Sequence, residues 1–502
     1  MKNKILVLCL SALTLTGCSD YLDIRPEGTV PSLGMDYTKS ENIFKPVSAA
    51  YASLRPSEVH AFNYICMFEI PSDDADKGST PDDNPEAREL DSFTFGPSNG
   101  LIAGLWNGYY NVVSAANNAI GQMPLFEANM MTEANKLYAR QCEAEAKVIR
   151  AYAFFNLVRA FGNVPIMDTV MTSEQLASLH QSTPAQVYQF IENDLQEAIP
   201  VLPASYSKAY AGRITSYTAM ALKAKAHMYH ASIENAQANW DSVASLTDRI
   251  MASGRYSLLD DFRSVFSVDQ ENSKESLFEI QSSSLGASSG DNYPYVIYAY
   301  VQGPRNNEPS NMQGWGFKTP SSALIQFFTN RGETVRAATT FLYRGTKTPE
   351  GDSIKTKCPN PVYNGKVYTP SSYNKWNYNG YGFDHNVRIL RYSEVLLMFA
   401  EAKLNGATTG NTSGQTSLSA VNEVRRRAKL TELNSVAVQD VYDERRAELA
   451  LEENRYFDLI RTGRAQSVLG GKGFVASKHN LFPIPSTQMQ LNTNLRQNPG
   501  YN

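Results

Sequence analysis

The chain is predicted to be mainly α-helical, with tetratricopeptide-like helical hairpins packed against an irregular, loop-rich half carrying a few short strands. Three observations lead there. Apolar residues recur at helical spacing in paired segments joined by short turns; the stretch from about 257 to 386 loses that spacing and gains Gly, Pro, Ser, Asn and Tyr; and helical spacing then returns. Hairpins of this kind cannot each cover their own apolar face, so they stack on one another.

Leu105, Tyr109, Val112 and Ala116 place a helix from Leu101 to Ile120, closed by Gly121 and Pro124. Val148, Tyr152, Phe155 and Val158 form a stripe within a helix from Thr132 to Phe161, stopped at Gly162-Asn163-Val164-Pro165. Thr183 reads as an N-cap, with Pro184 at the first helical position and Gln186 completing a capping box, and the helix ends near Pro200 and Pro203. Its partner runs from Thr215 to Ile233, and a third unit spans Trp240 to Gly254. Ala153, Leu157, Ala160 and Pro165 match the second helix of a tetratricopeptide repeat, but the first-helix residues expected upstream are missing, so periodicity rather than signature carries the repeat reading. Between 257 and 386, Ser322 to Asn330 reads as a helix, and strands are expected at Ser276 to Gln281 and near Val362 to Tyr368. Helices resume at Ile389 to Leu404, Leu418 to Ala428 and Val438 to Arg461, before a tail from Leu481 with no regular period.

The first residues decide location. Lys2 and Lys4 precede an apolar run from Ile5 to Leu15 that is too short to span a bilayer, and Leu15-Thr16-Gly17-Cys18 then resembles a lipoprotein cleavage box. Residues 1–17 are read as a signal peptide and Cys18 as the lipidated first residue, followed by regions over 18–255 and 256–502. The second region holds the loop-rich part and returning helices over 388–462. Two or three acyl chains, at about 0.8 kcal/mol per buried methylene, make such an anchor essentially permanent. Loss of the two lysines moves the net charge from −4 to −6, and without a basic excess nucleic acid is excluded as a partner. Membrane contact is expected through the lipid alone, since no second apolar run is long enough to cross. Cys66, Cys142 and Cys358 are odd in number and widely spaced, so they read as buried apolar residues.

Several charged groups invite catalytic or metal readings that the spacing does not support. In the run from Glu444 to Arg461, Glu452 with Arg455 and Asp458 with Arg461 stand at i, i+3, which fits a helix held to its neighbours by ion pairs better than acid–base chemistry. His227 and His230 share a helix but lack a third ligand, and Asp73, Asp74, Asp76, Asp82 and Asp83 fail the calcium-loop order, so a solvated loop is expected. No catalytic residue, metal or cofactor is predicted.

Taken in series, Cys18-Ser19-Asp20-Tyr21-Leu22-Asp23, EAEAKVIRAYAFFNLVRAFGNVPI (143–166), RILRYSEVLLMFAEAKLNG (388–406), VNEVRRRAKL (421–430), ERRAELALEENRYFDLIRTG (444–463), FPIPSTQM (482–489) and QNPGY (497–501) resemble the SusD/RagB family of outer-membrane nutrient-binding lipoproteins. The resemblance implies four tetratricopeptide-like hairpins and a partner, a SusC-like TonB-dependent transporter to which a captured nutrient is passed unchanged. It also implies display on the cell exterior, although Asp20 and Asp23 form a sparse acidic signal.

A glycan offers flat C–H faces ringed by hydroxyls, so its site needs exposed aromatic planes beside amides, guanidinium or carboxylate groups. Two segments supply both. One carries Tyr293, Tyr295, Tyr298 and Trp315 with Arg305, Asn306 and Asn307; the other carries Tyr373, Trp376, Tyr378 and Tyr381 with Asn374, Asn377 and Asn379. The resemblance adds an early loop, Asp74 to Phe95, with Arg88. Trp315 and Trp376 are the leading platforms, whereas Trp106 and Trp240, on helical apolar faces, belong to the core. The expected function is non-catalytic glycan capture. Other readings are a binder of peptides or another non-glycan nutrient, a surface glycosidase, for which no carboxylate pair stands out, and a purely structural tether.

Overall fold

The computed structural model describes residues 34–283, 296–308, 314–373 and 385–502. Cys18, Tyr293, Tyr295, Asn374, Trp376, Asn377, Tyr378, Asn379 and Tyr381 lie outside them.

Among the described residues, eight helices form a continuous row: α1 (Gly100–Asn129), α2 (Glu133–Phe161), α3 (Pro184–Ala198), α4 (Ser216–His230), α5 (Ala236–Ala252), α6 (Tyr392–Leu404), α7 (Ser417–Arg427) and α8 (Val438–Glu448), followed by the short α9 (Arg455–Arg461), which is tied to α6 by the Arg461–Glu401 ion pair. Each of the first seven packs on the next, and α8 joins α6 and α7. Local chemistry sets the starts. Thr132, Thr183 and Thr215 cap α2, α3 and α4, and at α3 the Gln186 side chain returns a bond to the Thr183 N–H at 2.9 Å. Almost every side chain of α4 is buried, as its place between α3 and α5 demands. One apolar cluster runs from Ala50 to Tyr501; it encloses Trp106 and packs against half-buried Trp240, and all three described cysteines are buried. Among the described residues, no helix is long and apolar enough to cross a membrane.

Three helical expectations need correction. α1 does not stop at Gly121 and Pro124 but continues to Asn129. The missing proline N–H is tolerated because Met123 and Phe126 bury against Ile43, Val47 and Cys142, which holds the last turns in place. Residues from Ile389 to Arg391 are strand rather than helix. Finally, the segment from Val438 to Arg461 is two helices, since Leu451 and Glu453 take left-handed backbone angles, φ +63° and +55°, and turn Glu452 and Glu453 inward.

The strands pair two by two and antiparallel: β1 (Ala75–Gly78) with β5 (Phe317–Pro320), β2 (Val164–Pro165) with β3 (Gln181–Ser182), β4 (Ser276–Ile280) with β8 (Val387–Arg391), and β6 (Phe341–Tyr343) with β7 (Val362–Asn364). The loop-rich stretch is thus inserted between α5 and α6, helices that touch each other, and β4–β8 closes its base. Beyond the expected helix it holds short helices at Tyr298–Gln302 and Val335–Thr340. β1–β5 ties it to the early loop. Gly78 and Gly316, both at positive φ, make that approach possible, because a Cβ on Gly78 would sit 2.4 Å from the Gly316 carbonyl.

Beside the β4–β8 ribbon, burial pushes the Glu271 carboxyl up from 4.5 to about 7, although the Asn386 N–H and Arg388 donate to it at 2.6 and 3.2 Å. A raised carboxyl contributes stability that is complete below its unfolded value and lost as pH rises through about 7. Glu271→Gln is therefore expected to reduce the fall in unfolding free energy between pH 5 and pH 8 by about 2 kcal/mol, measured by urea titration at both pH values. Equal pH slopes for the two proteins would refute this.

Candidate functional site

The early loop and the insertion meet at Trp315. Its ring is half-buried, edge-on to Phe62 (centroids 5.9 Å apart) and Tyr300 (5.8 Å), and its backbone N–H donates to the Tyr300 carbonyl at 3.0 Å. Phe62 also stands edge-on to Phe317, over which Lys77 places its ammonium at 5.4 Å. Next to the ring, Arg305 donates to Asp83 at 2.6 Å and to Ser79 at 3.0 Å, and Ser79 donates to the same Asp83 oxygen at 2.7 Å. Both members of the Arg305–Asp83 pair remain about one-third exposed, so the pair orders the surface rather than stabilising the fold. Asn306 is exposed at φ +59°, and the Asn360 amide reaches the carbonyls of Ser79 (3.1 Å) and Gly316 (3.4 Å). The result is a hydrophobic ring edge within a surface of guanidinium, carboxylate and amide groups.

The structure brings Trp315, Arg305 and Asn306 onto one surface, with Arg305 donating to the Trp315 carbonyl at 3.4 Å. Exposed Arg88 caps the neighbouring turn, donating to the Pro81 carbonyl at 2.6 Å. Tyr298 is not a surface ring. It is 4% exposed, and its hydroxyl donates to Glu453 (2.9 Å) while accepting from Lys318 (3.0 Å), because its place on the short helix turns it toward the core. Asn307 is likewise buried, accepting from the Lys355 N–H at 2.9 Å. Tyr373 is half-buried in another neighbourhood, its hydroxyl donating to Asp269. Phe62, Tyr300 and Asn360 were not anticipated, since no motif or spacing in the sequence marks them.

The charged groups also resolve. Asp73 and Asp74 are not part of a solvated loop: Arg446 and Arg455 hold them at 2.7 and 2.8 Å, and β1 follows at once. Asp458 pairs with Arg461 at 2.7 Å as the spacing suggested, but Glu452 turns to Arg391 and Lys366 while Arg455 turns to Asp73. His227 and His230 meet over Glu192, at 3.2 and 2.8 Å, and among the described residues no group of acids, histidines and cysteines is arranged to hold a metal.

Comparison with known proteins identifies the family. Residues 346–501 match the model of the SusD family, and residues 21–228 match a model described as starch-binding associating with outer membrane. The chain is 27% identical to SusD-like protein P2 of Formosa agariphila across all of both chains, and 25% identical to starch-binding protein SusD of Bacteroides thetaiotaomicron over 74% of each. Its fold is similar to that of surface glycan-binding protein A from Bacteroides thetaiotaomicron in complex with laminarihexaose, with a TM-score of 0.76, 25% identity, and coverage of 91% of this chain and 99% of that one. With separate family models at its two ends, relatives along its whole length and a shared helical architecture, the chain belongs to the SusD/RagB family.

Proposed function

We propose that the protein captures a glycan at the cell surface without altering it and passes it to a SusC-like TonB-dependent transporter, anchored in the outer membrane through lipid on Cys18 and facing outward. The observation that carries this reading is the Trp315 ring, held between Phe62 and Tyr300 beside the Arg305–Asp83 pair and the Asn306 and Asn360 amides. A sugar's C–H face packs on such a ring while its hydroxyls exchange bonds with the surrounding polar groups. The names of relatives that bind starch or laminarihexaose support the ligand class.

Laminarihexaose and maltoheptaose serve as probes. Trp315→Ala is expected to weaken binding of whichever is bound by about 30-fold, the effect of removing an aromatic anchor worth about 2 kcal/mol, with a lowered melting temperature from the lost contacts to Phe62 and Tyr300 but a far-ultraviolet circular dichroism spectrum that still reports the folded protein at the assay temperature. Unchanged affinity would remove Trp315 from the site, and release of shorter saccharides by the purified protein would overturn the non-catalytic reading.

A further inference from the structure

A second opening lies away from this surface and shares none of its residues. The segment 204–215, Arg255, Tyr256 and the segment 271–279 enclose about 630 Å³, within the range of roughly 300–1,000 Å³ that ligand sites occupy. The charged groups of its floor are engaged by neighbours, with Arg388 shared between Glu271 at 3.2 Å and Glu279 at 3.8 Å. Arg213 is spent on Glu145, to which Tyr206 also donates at 2.8 Å, and its guanidinium lies 4.6 Å above the Tyr206 ring. Glu279 accepts from the Asn272 N–H at 3.0 Å and from the Asn386 amide at 2.9 Å, and Glu271 is held by the Asn386 N–H and Arg388.

The rim is different. Lys208, Arg255 and Lys274 all line the opening, all are exposed, and none has a carboxylate at ion-pair distance among the described residues. Between them stand Tyr210, 57% exposed, and half-buried Tyr256, which is braced edge-on by Tyr217 at 5.6 Å. The chain as a whole is acidic, so three unmatched cations around one polar opening are a local excess that favours an anion. The tyrosine faces add the stacking surface that a sugar ring uses and a simple inorganic anion does not.

We propose that this cleft binds a saccharide segment bearing sulfate or carboxylate groups, with Lys208, Arg255 and Lys274 on the anionic substituents and Tyr210 and Tyr256 against the rings. The test uses the full-length lipoprotein in detergent micelles, titrated calorimetrically with a chondroitin sulfate hexasaccharide, its desulfated counterpart, hexagalacturonate and hexaglutamate. At least one anionic saccharide is expected to bind, more weakly as salt rises, and to lose about ten-fold or more in affinity in the triple variant Lys208→Gln/Arg255→Gln/Lys274→Gln. Trp315→Ala is expected to leave that binding within about two-fold, as independent sites should, so loss of neutral-glucan binding and loss of this binding remain separable. Failure of all three anionic saccharides to bind, the desulfated one included because it keeps its uronate carboxylates, equal binding of hexaglutamate, or wild-type affinity in the triple variant would overturn the proposal. The three cations are exposed, so an unchanged circular dichroism melting curve is expected to accompany the loss.

Discussion

Glu448→Gln is expected to cost about 3–5 kcal/mol of folding stability, the penalty for removing one partner of a buried ion pair. Glu448 is fully buried and receives Arg391 at 3.0 Å, Arg336 at 3.3 Å and the Arg427 guanidinium. Despite that burial, the surrounding guanidinium groups hold its carboxyl well below the usual range, so its contribution is present above its ordinary value of 4.5 and lost only in strong acid. An amide of the same shape can keep some hydrogen bonds but not the charge, and three buried cations then share fewer anions. Urea unfolding at pH 7 reads the effect directly, and a midpoint matching the wild type would show that the cluster tolerates the imbalance. The cluster also spans the molecule: Glu333, Arg336 and Lys366 come from the insertion, Arg391 from β8, Arg427 from α7 and Glu448 from α8. Weakening it should loosen the insertion from the helical row.

Lys318→Met is the second large effect, expected at about 3 kcal/mol and accompanied by weaker glycan binding. Lys318 has no exposed surface; its ammonium donates to the Leu451 carbonyl at 2.9 Å and to the Tyr298 hydroxyl at 3.0 Å, and pairs with Glu453. Methionine fills the space but strands the Glu453 carboxylate, which is itself buried. Since β5 begins two residues after Trp315, any shift that relieves Glu453 also moves the ring. A double substitution with Glu453→Gln is expected to recover most of the loss, the signature of direct coupling. Additive losses would mean that the two residues act separately.

What could be read in advance follows from the range over which each signal acts. Thr183, Pro184 and Gln186 lie within one turn of the helix they start, so that boundary was legible. Pro124 was misread because the packing that overrides it comes from Ile43 and Val47, far away in sequence. The break after Glu448 was hidden for the same reason, its cause being cations at 366 and 391. At the candidate site, composition pointed to Trp315 and Arg305, but it could not separate the outward face of that segment from the inward face that takes Tyr298. Phe62 and Asn360 come from segments more than 250 residues apart, and only the fold makes them neighbours of Trp315.

The contact between α5 and α6 has a consequence for how such a molecule changes partners over time. Both ends of the intervening chain are clamped side by side by the helical row, so that chain behaves as a cassette on a fixed mount. Loop-closure entropy grows only logarithmically, and lengthening the cassette by a seventh costs about 0.1 kcal/mol. New recognition can be tried there by insertion or deletion while the scaffold keeps its register.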